Sequence, residues 1–129
     1  MSSFRILNRV ANFRPMFIQH LRYTNKKYLD THEWFITEGT TTKLGLSQKG
    51  IELMNDIVFI DDEIDTEQVI ARGETICAIE SVKAASELYA PHACKVLEVN
   101  ETLIDDLDLL NGDPENEDNW ILKLEVVNN

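Results

Sequence analysis

The segment CAIESVKAASELYAP, residues 77–91, holds a single lysine, Lys83, and the nearest others in the chain are Lys49 and Lys95. Small residues stand beside it: Ser81, Ala84, Ala85 and Ser86. The runs TICAIES and ELYAP read as strands pairing around it, which puts Lys83 on a turn. Glu80 lies three residues before it and Glu87 four after. Nearby carboxylates stabilise a charged ammonium. A nucleophilic or Schiff-base lysine needs burial or cationic neighbours instead. Lys83 therefore reads as an accessible amine that another enzyme acylates, with room left for that enzyme to approach. The alternative is an ordinary solvated turn residue.

Little else in the chain suggests chemistry. Cys77 and Cys94 do not make a disulfide framework. They are expected on opposite arms of the hairpin, as free thiols in a reducing compartment. A metal site built from Cys77, Cys94 and His92 would lack the spacing of zinc motifs. The chain has no Gly-rich phosphate loop, no H-E-x-x-H and no G-x-S-x-G. Acids are abundant but no catalytic pair stands out, so the chain reads as non-catalytic.

The elements that must position Lys83 are mostly short strands. EWFITEG and TTTKLGLS form a hairpin over residues 33–46, turning near Glu38–Thr41. Ser47 caps a short helix, QKGIELMN, with Ile51 and Met54 on one buried face. DIVFID reads as a buried strand. An acidic loop follows and turns at Arg72–Gly73. CKVLEVN alternates. The acidic stretch after it has helical spacing and breaks at residues 111–114. WILKLEV closes the chain, with Ile121, Lys123 and Glu125 alternating against Leu122, Leu124 and Val126. Strands at this spacing predict a β-sandwich or barrel with short helices over its ends.

Charge divides the 129 residues in two. Residues 1–24 carry Arg5, Arg9, Arg14 and Arg22 and no acid. With Phe4, Ile6, Leu7, Val10 and Phe13, this composition predicts a mitochondrial transit peptide cleaved near residue 24, and so the matrix as destination. Residues 25–129 hold eight basic residues and all 23 acids, a formal balance of −15. Such a surface repels nucleic acid and anionic lipid and attracts partners with basic docking faces. No apolar run approaches the roughly 18 residues of a membrane span.

ESVKAASELYAP closely resembles the lipoyl-lysine segment of the glycine cleavage system H proteins. KYLDTHEWF, with His32, Glu33 and Trp34, matches that family's opening strand. LGLSQKGIELMNDIVFIDD, VLEVNETL and Trp120 to Leu124 match further blocks in the same order, across about residues 27–126. The resemblance implies a lipoyl-carrier-like β-sandwich, the barrel-sandwich hybrid, over residues 25–129. It implies lipoate in amide linkage to Lys83, with Glu80, Ser81, Val82 and Ala84 forming the hairpin that the lipoyl-attaching enzyme recognises. It also implies partners: the pyridoxal-phosphate glycine decarboxylase (P protein), the aminomethyltransferase (T protein) and dihydrolipoamide dehydrogenase (L protein). The lipoyl arm carries the aminomethyl group of glycine from the first to the second and electrons to the third. By position, Thr31, Glu33 and Glu87 are placed near the cleft that shelters the arm. Trp34 and Trp120 are placed in the core.

Three departures from the family pattern stand out. Cys94 replaces the glycine usual eleven residues after the lysine, a residue tied to the turn and to lipoylation. Asn55 replaces a glycine before DIV, and asparagine tolerates positive φ. The sequence stops at Asn129, where many relatives continue into a helix. Other readings are a lipoyl relay to 2-oxoacid dehydrogenase complexes without glycine cleavage, an unmodified homologue, and a biotin carrier. The last is disfavoured because Val82 and Ala84, not methionines, flank Lys83.

Overall fold

The computed structural model describes residues 25–128; the segment read as a leader, residues 1–24, lies outside them. In chain order the elements are β1 (Lys27–Tyr28), β2 (Glu33–Glu38), β3 (Thr41–Leu46), α1 (Gln48–Met54), β4 (Ile57–Ile60) and β5 (Thr75–Ser81). Then come β6 (Ala85–Tyr89), β7 (Cys94–Val99), α2 (Glu101–Asp105), α3 (Leu107–Gly112), a 3-10 turn (Glu117–Asn119) and β8 (Leu122–Val126). Five strands form one antiparallel sheet in the order β1-β2-β3-β8-β7, and three form another in the order β4-β5-β6. This is a mainly β sandwich with short helices, as the strand spacing predicts.

Local chemistry accounts for most boundaries. Gly39, with φ 64°, makes the tight turn between β2 and β3. Ser47 caps α1 by accepting from the Gly50 N–H at 3.1 Å. The same helix ends at Asn55, with φ 67°. That is the positive φ for which asparagine is a workable substitute for glycine.

The two sheets close on one core. Leu44, Leu46, Val96, Leu122 and Leu124 come from the larger sheet; Ile57, Ile60, Ile79 and Leu88 come from the smaller. Each such side chain contributes about 1.5–3 kcal/mol by leaving water. The expected alternation in the last strand holds from Leu122 to Glu125, but Ile121 is buried ahead of the strand. Its N–H bonds to Leu44 O, which turns the chain inward there.

A second cluster joins Trp34, Ile36 and Trp120, so both tryptophans are core residues. The Trp34 Nε1–H donates to Pro114 O at 2.8 Å, and Lys26 Nζ lies 4.7 Å from the ring centre. Gly45 faces Trp34 across β2–β3, and a methyl group there would meet three indole atoms at 2.5–2.7 Å. Neither the strand nor the packed ring can move aside cheaply. Gly45→Ala is expected to cost about 1–3 kcal/mol by overpacking. A thermal melt should show a fall of roughly 10 °C.

The cysteines do not share a hairpin. β5 pairs with β6, placing Cys77 opposite Leu88, whereas Cys94 opens β7 of the other sheet and bridges to Ile70. Alternation reveals faces, not partners, and here the chain changes sheets between the two residues. Both are buried free thiols. Burial, with help from Asp61, pushes the Cys77 thiol up to about 12, and burial pushes Cys94 up to about 11. Thiolate is then scarce near neutral pH. Iodoacetamide at pH 8 should leave both unmodified in the folded protein and label both in guanidinium, as read by intact mass.

Candidate functional site

Lys83 sits at the end of the β5–β6 hairpin, and the Ser81 hydroxyl builds that end. Ser81 Oγ accepts from the Lys83 N–H at 3.2 Å and the Ala84 N–H at 3.1 Å, and its own hydrogen can go to Ala84 O at 3.1 Å. The Ser81 N–H donates to Ala84 O at 2.8 Å. Among the described residues, positive φ outside glycine occurs only at His32 and Asn55, so Val82 and Lys83 do not form a primed hairpin turn. The hydroxyl supplies the bracing that the backbone alone lacks. The Val82 N–H is tied to Asp56 O at 3.1 Å, fixing the tip to the start of β4. The root of Lys83 is thus held from two sides while its side chain is exposed.

Ser81→Ala removes the acceptor for two amides. The expected loss is about 1–2 kcal/mol. Exchange of the Lys83 and Ala84 amides should accelerate about tenfold or more, while exchange in the core changes less. An unchanged rate at Ala84 would show that the hydroxyl does not brace the tip.

Glu80 and Ala84 are exposed on either side of the tip, as is Val82. Among the described residues, neither Glu80 nor Glu87 forms an ion pair with Lys83. Glu87 instead accepts from the Thr75 hydroxyl at 3.0 Å and the Tyr89 hydroxyl at 3.2 Å. The bond to Glu87, with its charge, holds the Tyr89 phenol above its ordinary range.

The structure joins the three residues placed near a cleft, each in a different position. A groove of about 260 Å³ is lined by Leu29, Asp30, Thr31, Arg72, Gly73, Tyr89 and Ala90. Thr31 lines it. Glu33 lies beneath, wholly buried: one carboxylate oxygen accepts from the Thr31 hydroxyl, and the other accepts from the Tyr89 N–H at 2.7 Å. Glu33 therefore ties β2 to β6, across the two sheets, and is no free anion in the groove. Glu87 meets the groove only through Tyr89. Tyr89 lies six residues from Lys83 along β6, about 20 Å at strand rise.

Sequence reasoning missed Arg72, Tyr89, Asp30 and Leu29. Arg72 carried one signal, as the only arginine after residue 24. Cys94 occupies a strand position with its side chain in the core and no positive φ, so the backbone there does not demand glycine. The strand read as buried at DIVFID is half so: Ile57 and Ile60 point inward, Val58 and Phe59 outward.

The family model described as glycine cleavage H-protein covers residues 26–129. The chain belongs to the glycine cleavage H-protein family. It is 41% identical over 102 residues to the glycine cleavage system H protein of Thermotoga maritima, covering 78% of this chain and 80% of that one. It is 43% identical over 101 residues to the glycine cleavage system H protein of Vibrio atlanticus, covering 78% of this chain and 79% of that one. The crystal structure of a glycine cleavage system H protein from Mycobacterium marinum superposes with a TM-score of 0.70 at 25% identity, covering 80% of this chain and 84% of that one. The H-protein fold, a lipoyl-carrier-like sandwich, is thus the fold of this chain.

Proposed function

We propose that this H-protein family member is the lipoyl carrier of the glycine cleavage system, with lipoate in amide linkage to Lys83. The observation that carries the reading is the braced, solvent-exposed lysine at a hairpin end, within a chain that matches the family over nearly all its described length. The residues present fit the group: an exposed amine without an ion-pair partner among the described residues, a root fixed by Ser81, and small neighbours that leave space around it.

The bound group supplies a dithiol–disulfide that takes a one-carbon amine unit from the P protein, yields it to the T protein and passes electrons to the L protein. This chain contributes no reacting side chain. Its residues hold the arm's root steady, and the tether keeps the reacting end at high local concentration for each partner. Thr31, the Glu33 tie beneath it and the Tyr89–Glu87 pair form the surface where the arm's end would rest. Lipoyl attachment requires an enzyme that recognises the tip through Glu80, Ser81, Val82 and Ala84. We further infer that residues 1–24 direct the chain to the mitochondrial matrix and are removed there; their arginine-rich, acid-free composition supports this.

The test is reconstitution. Lipoylated protein mixed with the P, T and L proteins should support glycine-dependent release of carbon dioxide, and the unmodified protein should not. A lipoylated chain that releases none would overturn the carrier assignment and favour the relay to 2-oxoacid dehydrogenases.

A further inference from the structure

The fold leaves apolar side chains uncovered beside Lys83, and their arrangement is specific. In β4 a bulge between Ile57 and Phe59 sets an extra residue against β5. The strand turns Ile57 and Ile60 inward and leaves Val58 52% and Phe59 49% exposed. Register places Phe59 opposite Glu80 and Glu80 opposite Ala85, so the three share the outer face of the small sheet. Val82, 67% exposed, hangs from the tip whose N–H Asp56 holds. The inner face of the same sheet is filled by Ile57, Ile79 and Leu88 and cannot be approached. Val58, Phe59 and Val82 thus form an apolar strip running up to Lys83, on the one face of this sheet open to solvent. Exposed carboxylates rim it: Asp56, Asp62, Glu80 and Glu87.

We propose that this strip is the docking surface for the enzyme that acylates Lys83, an inference that rests on the carrier reading above. Reach selects this occupant. An enzyme acting on the bare amine must bring an activated acyl carbon within one lysine side chain of the tip. It therefore has to press against the tip and the outer face beside it. Enzymes acting at the far end of a long arm can meet that end elsewhere. The partner's chemistry follows from the strip: a shallow apolar pocket for Phe59 and Val58, ringed by lysine or arginine to meet the carboxylate rim. The balance of −15 over residues 25–129 speeds the encounter with such a surface. In the step served, Nζ attacks the carbonyl of lipoyl adenylate, the amine loses a proton, the amide forms and AMP leaves.

The experiment uses the purified, unmodified full chain with a lipoate ligase, lipoate and ATP. Acylation of Lys83 is followed by intact mass across carrier concentrations. Phe59→Ser and Val58→Ser should each raise KM about tenfold, as loss of an apolar anchor does, with little change in kcat. Added salt should raise the KM of the unaltered protein. Leu97→Ser is the matched control, because Leu97 is also 49% exposed and lies at a bulge in the other sheet; its KM should stay put. If Phe59→Ser melts early, Val58→Ser decides. Equal KM values in the strip variants and the control would overturn the proposal. So would sedimentation showing a dimer that Phe59→Ser dissolves, or normal acylation with impaired glycine cleavage. Failure of the unaltered chain to accept lipoate at all would instead overturn the carrier reading.

Discussion

Lys83→Arg should abolish glycine-dependent carbon dioxide release in the reconstituted system while leaving the fold untouched. Arginine keeps the positive charge and much of the side-chain length, but its guanidinium is not acylated by an enzyme built for an amine. The backbone bonds that build the tip run through the Lys83 N–H and the Ser81 hydroxyl, and the substitution leaves both in place. The side chain is exposed, so stability should change by less than about 0.5 kcal/mol. Loss of activity with an unchanged melt would separate a missing attachment point from a damaged scaffold. Residual activity near that of the unaltered protein would mean that Lys83 is not the attachment point.

Glu33 makes the second large prediction, and its effect falls on stability. Its carboxylate is buried and satisfies two donors, the Thr31 hydroxyl and the Tyr89 N–H. Glu33→Ala leaves the Tyr89 N–H without its acceptor and empties a buried site, while the exposed Thr31 hydroxyl can turn to water. The orphaned amide costs about 1–3 kcal/mol and the lost methylene packing about 1 kcal/mol more, so the sum is about 2–4 kcal/mol. For a domain of this size that is a large share of the total stability, and the melting temperature should drop by more than about 10 °C. Glu33→Gln keeps an oxygen for the Tyr89 N–H and an amide that can donate to Thr31, so it should cost about 1 kcal/mol. A denaturant titration of both variants checks the ordering. Equal, small losses would show that the tie between β2 and β6 carries no weight.

What the chain reveals before folding, and what it hides, divides along physical lines. The β2–β3 hairpin was legible because strand alternation met a glycine at the one place where positive φ was needed. The helix after Ser47 was legible from its cap, and the Lys83 hairpin from two apolar runs around small residues. All of these depend on neighbours within a few positions. The features that escaped depend on distant partners. Pairing of β3 with β8 joins Thr41 to Glu125, and no local pattern announces it. Alternation places Cys77 and Cys94 on one hairpin because it cannot tell which sheet a strand joins. The outward turn of Val58 and Phe59 comes from a bulge, which breaks the period on which the buried assignment rested. Glu33 is placed near a cleft by the family resemblance and not by any local pattern. Its burial could not be foreseen, because the Tyr89 N–H that satisfies it lies 56 residues away. Arg72 and Tyr89 line the same groove only because two turns and a strand end happen to converge there.

Peptide mapping of the protein purified from lipoate-replete cells of its own source tests the central claim most directly. The peptide spanning Lys83 should carry a lipoyl group, and every other lysine should be bare. A bare Lys83, or lipoate on a different lysine, would contradict the account.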